Sequence, residues 1–351
     1  MSAGPDAPPP EVIAAFGFGG TEIGPLAGGL INTTFVVREA GEPRAVVQRL
    51  HHVFGAAVNL DLEAVTAHLA RRGLETPRLR RTRTGAAWVE VAGRIWRALS
   101  WVDGVAVHTI DDPALAEAGG ELVGRFHRAV ADLHHEYQFT RSGVHDTAAH
   151  LARLRQAMAQ PIDGPPELRA ILDEARAIAA AILDAAAALP PIGDLPKRHS
   201  HGDLKVSNLL FRGTPPRGVS LVDLDTLGLQ TIAFELGDAM RSWCNPRGED
   251  ATKVRFDLAI FAAAMRGYRA VAGGLLAPAE WPAIVRGAET VCFELAARFC
   301  TDVFEDRYFG WDPARFPSRR AHDLVRAKSQ LALGRDLGAQ RQDALAIAHG
   351  A

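Results

Sequence analysis

Residues 198–225 read RHSHGDLKVSNLLFRGTPPRGVSLVDLD, and this stretch decides the fold. Asp203 sits in His-Gly-Asp, Asn208 follows five residues later, and Asp223 arrives after a polar turn. Leu209 to Phe211 and Val219 to Leu224 are apolar or alternating runs, separated by Arg-Gly-Thr-Pro-Pro-Arg-Gly. That composition predicts two strands joined by a turn. A loop bearing Asp203 and Asn208 then precedes the first strand, and Asp223 lies near the end of the second, so two acids and one carboxamide can meet at one point. Oxygen ligands of this kind suit Mg²⁺, which takes one or two protein groups and fills its other positions with phosphate oxygens and water. An acid beside the metal can accept the proton of an attacking hydroxyl. Phosphoryl transfer needs little beyond positioning, charge neutralisation and such a base.

His-Gly-Asp-Leu-Lys-Val-Ser-Asn followed by Val-Asp-Leu-Asp resembles the catalytic and metal-binding loops of the aminoglycoside phosphotransferase and choline kinase superfamily, relatives of the protein kinases. The resemblance implies Asp203 as catalytic base, Asn208 and Asp223 as Mg²⁺ ligands, and Lys205 against the transferring phosphate. It also implies ATP and Mg²⁺ as cofactors.

Composition narrows the remaining choices. With 351 residues, 48% of them hydrophobic, the chain is long enough for two lobes around a large core. A formal net charge of -2 offers no basic field for nucleic acid or acidic membranes, so neither is expected as a partner. No apolar run reaches the length of a membrane span; the longest, near Ala175 to Leu189, contains Asp184 and reads as an amphipathic helix. Met1 to Pro10 is small and Pro-rich, without a signal pattern, and is expected as a loose tail. Cys244, Cys292 and Cys300 are widely spaced, which fits buried thiols in a reducing, cytoplasmic setting.

From Glu11 to Phe16 a short helix is expected, and Thr34 to Val37 has strand composition. The Gly28-Gly29 turn before that strand can lay backbone N–H groups against phosphates. In the resemblance this segment covers the nucleotide, through Gly29, Asn32, Thr33 and Thr34. Ala45 to Leu50 continues the sheet, and Arg49 aligns with the strand cation that pairs nucleotide phosphates, Gln48 pointing to the opposite face. Leu60 to Arg72 has helical periodicity closed by Gly73, and its Glu63 matches the acid that anchors the strand cation. Trp88 to Val91 and Ile95 to Val102 read as strands. The second ends in a hinge-like segment where backbone groups of Ser100 and Val102 would meet the adenine edge.

Beyond Pro113 the pattern turns helical, with a stripe of Leu115, Leu122, Val123, Phe126, Val130 and Leu133. His127, His134 and His135 in this region lack ligand spacing. Ala148 to Met158 and Pro166 to Leu189 continue as helices, which the superfamily resemblance implies wall the acceptor site. Asp238, after the hairpin, is the expected orienter of the catalytic loop, with Arg241 three residues later on the same helical face.

Several further pieces resemble the N-acetylhexosamine 1-kinase branch. They are Gly29-Leu-Ile-Asn-Thr-Thr-Phe, Gln48-Arg-Leu, Leu221-Val-Asp-Leu-Asp-Thr, Gly237-Asp-Ala-Met-Arg and Glu294-Leu-Ala-Ala-Arg-Phe-Cys-Thr-Asp-Val-Phe-Glu-Asp-Arg-Tyr-Phe. The branch carries Asn before the catalytic Asp, where this chain has Gly202. The resemblance implies an acceptor hydroxyl at the anomeric position of a sugar, with Asp225, Asp238, Arg241, Arg298 and Tyr308 on the substrate side.

The expected fold is therefore α/β and protein-kinase-like: a small antiparallel-sheet lobe over residues 11–103 and a larger, mainly helical catalytic and acceptor-binding lobe over 104–351. The expected function is ATP- and Mg²⁺-dependent transfer of a γ-phosphate to a small hydroxyl acceptor, first a sugar. An aminoglycoside, choline or homoserine acceptor is the alternative within the same chemistry, and a nucleotide-binding pseudokinase scaffold the alternative outside it.

Overall fold

A proline opens the first helix, α1 (Pro10–Phe16), where its fixed φ suits the first helical position and its missing N–H has no partner to lose. The computed structural model describes residues 7–26, 32–140, 143–161 and 164–350. Of the segment expected as a tail, Pro10 is helical and Pro8 is buried, and residues 1–6 lie outside the described residues.

The strands β1 (Glu22–Pro25), β2 (Thr33–Glu39) and β3 (Glu42–Arg49) follow, then helix α2 (Val58–Arg71), and β4 (Leu79–Arg80), β5 (Val89–Val91) and β6 (Arg94–Ser100). They form an antiparallel sheet in the order β1-β2-β3-β6-β4, with β5 also pairing β6. Strand alternation gives this sheet two apolar faces. Phe35, Val37, Ala45, Val47, Trp96 and Ala98 pack against Val12 and Phe16 of α1. Val46 and Leu99, on the opposite face, join Leu62, Val65 and Leu69 of α2.

After β7 (Val105–Ala106) the chain becomes mainly helical, with α3 (Pro113–Val130), α4 (Thr147–Met158) and α5 (Pro166–Ala187). Asp112 caps α3 by accepting from the Ala114 amide, and Pro113 sets its first turn. Four short strands then frame the decisive stretch: β8 (Lys197–Ser200), β9 (Leu209–Arg212), β10 (Arg217–Leu221) and β11 (Gly228–Thr231). The helices α6 (Ile232–Trp243), α7 (Leu258–Ala272), α8 (Glu280–Glu305), α9 (Arg319–Ala339) and α10 (Arg341–His349) complete the lobe.

One large core unites α2 and α3 with α6, α7, α10 and part of α8. A second lies further along α8 and α9, where Phe293, Phe299, Val303, Leu324 and Leu331 receive Leu154 of α4 and Leu172, Ala175, Ala179 and Ile182 of α5. The middle helices are thus packed onto the end of the long helix α8. Helices α6 and α8 cross with backbones in contact: a Cβ on Gly237 would fall 2.6 Å from the Gly287 carbonyl carbon, too close for any side chain.

Candidate active site

Two strand pairs converge on the predicted site. β9 pairs with β10 antiparallel, with Leu209 opposite Leu221, and β8 pairs with β11, with Ser200 opposite Gly228. The loop after Ser200 and the loop after Leu221 therefore leave neighbouring strand ends and lie side by side. The first carries Asp203, Lys205 and Asn208, and the second carries Asp223 and Asp225.

Within the first loop, Lys205 Nζ lies 2.6 Å from Asp203 Oδ2 and 3.8 Å from Asp223 Oδ2, so one ammonium spans both acids. Burial opposes the lysine charge, but Asp203 and Asp223 outweigh it and hold the ammonium above the usual lysine value. Asn208 Nδ2 donates to the Asp203 carbonyl oxygen at 2.8 Å and to its Oδ2 at 3.1 Å. Its carbonyl oxygen is thereby the end of the amide left for a cation. Asp223 adopts a left-handed backbone at φ 63°, which turns its side chain out of the strand direction. Burial, reinforced by Asp225 and Asp203, pushes its carboxyl up to about 6. Carboxylates crowded to this degree are a donor set short of positive charge. Asn208 and Asp223 together offer hard oxygens of the kind Mg²⁺ takes.

The loop is braced from behind. Glu235 of α6 accepts the His201 amide at 2.8 Å on one carboxylate oxygen and the Gly202 amide at 3.0 Å on the other. Burial opposes its ionisation, but a hydrogen bond and the charge of His127 prevail, and its carboxyl is held below the usual range. His127 in turn bonds Tyr268 Oη at 2.9 Å. His201 lies 2.9 Å from the Val222 carbonyl oxygen through Nε2, and burial lowers its imidazole, which fits a neutral ring protonated on Nε2. Trp243 Nε1 donates to the Leu204 carbonyl at 2.8 Å. At Gly202 the backbone has φ 79° and runs against the Thr226 carbonyl, so glycine is required there.

Asp238, the expected orienter, instead pairs with Arg241 at 2.8 Å, and Arg241 also holds Glu249 at 2.6 Å. Asp238 lies one turn further along α6 than Glu235, whose carboxylate takes the loop amides. Burial opposes the Asp238 charge, and Arg241, then His145 and Lys205, restore it. This carboxylate therefore feels both His145 and Lys205.

On the sheet side the picture differs from the sequence expectation. Arg49 is register partner to Thr33 and Trp96 and bonds Thr33 Oγ1 at 3.0 Å. That is the face covered by α1, away from α2. Glu63 instead takes a two-pronged contact from Arg81, at 2.9 and 2.6 Å, so the expected Arg49–Glu63 pair does not form. The sheet itself separates them. Gln48 occupies the α2 face, beside Arg97, and donates to Thr34 Oγ1 at 3.2 Å. Arg97, 1% exposed, donates to Asp225 Oδ2 at 2.9 Å and also to Oδ1. Asp225 is 2% exposed and both of its oxygens are engaged within the protein, so it ties the lobes together. Asn32 Nδ2 donates to Asp225 at 2.6 Å, and its Oδ1 accepts the His51 amide at 2.9 Å; it is a buried brace. Gly29 lies outside the described residues. The Ser100 amide donates to the Arg78 carbonyl at 2.8 Å and its hydroxyl accepts the Arg78 amide at 2.9 Å, while Val102 is buried beside it. The Ser100 N–H is thus committed within the protein.

Beyond Asp238, His145 stacks on Phe234 with ring centroids 5.0 Å apart and pairs with Glu294 at 3.1 Å. Burial opposes the imidazolium, and Glu294 raises it above the usual histidine value. Arg298 lies over the Phe309 ring at 5.7 Å, and Tyr308, 58% exposed, meets the same ring edge-on. The two residues expected at the substrate therefore share one aromatic neighbour at the end of α8. Among the described residues no cluster of three His, Cys, Asp or Glu side chains is arranged to hold a metal, and no helix is long and apolar enough to cross a membrane.

Residues 22–273 match the family described as the phosphotransferase enzyme family. A homoserine kinase of Beijerinckia indica is 30% identical over 184 residues, 50% of this chain and 50% of that protein. The chain thus spans about half the length of the curated relatives it matches most strongly. An aminoglycoside phosphotransferase from Alicyclobacillus acidocaldarius superposes with a TM-score of 0.62 at 17% identity, covering 97% of this chain and 98% of the other. An amicoumacin kinase, solved with AMP-PNP, Ca²⁺ and Ami, superposes at 0.58 and 14% identity, covering 88% and 87%. The sheet lobe and helical lobe are thus the two-lobed, protein-kinase-like fold of these structures.

Proposed function

The chain belongs to the phosphotransferase enzyme family, and from that premise we propose that it transfers the γ-phosphate of ATP to a hydroxyl of a small molecule. The observation that carries this reading is the convergence of Asp203, Lys205, Asn208 and Asp223 at two adjacent strand ends, braced by Glu235. Asp203 accepts the proton of the acceptor hydroxyl as its oxygen bonds to the γ-phosphorus and the bond to the ADP oxygen breaks. Lys205 orients Asp203 through their 2.6 Å contact, and lies where negative charge gathers on the transferring group. Asn208 and Asp223 would hold Mg²⁺, which supplies charge neutralisation at the phosphates.

For the acceptor, the homoserine kinase relatives favour a small amino alcohol, although they cover only half of their own length. The wall beside Lys205 is suited to such a molecule, because it mixes carboxylate and cation through Asp238, Glu294 and His145. The second reading is an N-acetylhexosamine or related sugar phosphorylated at its anomeric oxygen. It is favoured by the meeting of Arg298 and Tyr308 at Phe309.

The test is ADP release with ATP and Mg²⁺ over a panel of homoserine, choline, kanamycin, GlcNAc, GalNAc and 1-O-methyl-GlcNAc. Turnover on homoserine supports the amino alcohol. Turnover on a free sugar that is lost on anomeric methylation supports the sugar. Nucleotide binding without turnover on any hydroxyl acceptor would favour a binding scaffold and count against catalysis.

A further inference from the structure

On the sheet face that looks toward Asp225, Gln48 of β3 stands opposite Arg97, and the positive charge that meets Asp225 comes from this neighbouring strand. A continuous chain of bonds runs through that arginine. The His51 amide fixes Asn32, Asn32 holds Asp225 at 2.6 Å, and Asp225 holds the Arg97 guanidinium. Arg97 grips Gln48 Oε1 through Nε at 2.9 Å and Nη2 at 2.7 Å, and Gln48 reaches Thr34 at 3.2 Å. The chain thus joins the turn leading into β2, the strands β3 and β6, and the turn two residues past Asp223.

A buried ion pair gives little net stability over apolar residues of the same volume. Its distinguishing property is geometry: a guanidinium fork meeting a carboxylate at two points fixes both separation and angle. We propose that Arg97 is a positioning residue for the phosphoryl transfer, setting the spacing between the phosphate-side turn at Asn32 and the turn that carries Asp223. The proposal rests on the phosphotransferase reading above. The strand cation of this chain is then a residue clamped to Asp225, not one paired with the acid of helix α2.

The test uses the full chain with two variants, Arg97→Met/Asp225→Leu and Arg97→Lys. Three properties are measured: melting temperature, affinity for a fluorescent ADP analogue, and KM for ATP against KM for whichever acceptor is turned over. The double variant removes both charges together and keeps an apolar filling, so its melting temperature should stay close to that of the wild type. Its nucleotide affinity should weaken and its KM for ATP rise by roughly tenfold or more, with the acceptor KM changed less than about twofold. Arg97→Lys should recover part of the loss, since it keeps the charge and forfeits the fork; it decides the question if the double variant does not fold. Unchanged nucleotide affinity in the variants, or equal rises in both KM values, overturns the positioning role alone. A wild-type protein that neither binds nucleotide nor turns over removes the phosphotransferase reading, and this inference with it.

Discussion

At the scale of single residues, Asp203 makes the sharpest prediction. Asp203→Asn keeps the shape of the side chain and an oxygen for both of its partners, Lys205 and Asn208, but cannot take a proton. Turnover should fall by about 10²–10⁴ with little change in melting temperature. Near-normal turnover in the folded variant would remove the general-base assignment. A second prediction concerns a carboxyl away from the site. Asp323 is fully buried beside Asp302, whose oxygens accept the amides of Arg307, Tyr308 and Phe309 at 2.8–3.1 Å. Burial, then the charge of Asp302, push Asp323 up to about 8. An acid raised on folding binds more protons in the native state, so it makes stability fall as pH rises from about 4 to about 8. Asp323→Asn should flatten that slope and melt higher than the wild type at pH 8; parallel melting curves across the range would contradict it. The convergence legible in the sequence was that of Asp203, Lys205, Asn208 and Asp223, because these residues lie in one contiguous stretch. Glu235 and Arg97 carry no local signature, because each acts through a partner far away in sequence. Arg49 stands apart from Glu63 for a physical reason: alternation tells that Gln48 and Arg49 oppose each other, but not which of them shares the face of α2.

At the scale of elements, the two-residue period of β2, β3 and β6 and the helical period of α2 and α3 were readable directly, and so was the β9–β10 pair. The crossing of α6 and α8 was not, since glycines inside a helix look like weak points until the partner helix is known. Gly287→Ala should force those backbones apart and destabilise the protein by about 1–3 kcal/mol. Glu235 rides on α6, so turnover should fall beyond what the loss of stability explains. Gly193→Ala, with open space around it, serves as the comparison. If Gly287→Ala melts and turns over like that control, the crossing is looser than described.

At the scale of the whole molecule, the lobes follow from the change of period along the chain, whereas the division of the helical lobe into two cores does not. The cluster of α4 and α5 rests on the ends of α8 and α9, apart from the core around α3, α6 and α7. Amide hydrogen exchange should therefore release α4 and α5 before α3 and α7, by local opening of the smaller unit. A single exchange rate shared by all four would mean that they open together. The close crossing of α6 and α8 also bears on how such a molecule would be mapped by saturation mutagenesis. Gly237 and Gly287 would tolerate nothing, and a table of tolerance alone would rank them with Asp203, although they touch no reactant. Chemistry and scaffolding would be separable only by scoring abundance and turnover side by side, with the helix crossing failing in both columns and the base in one.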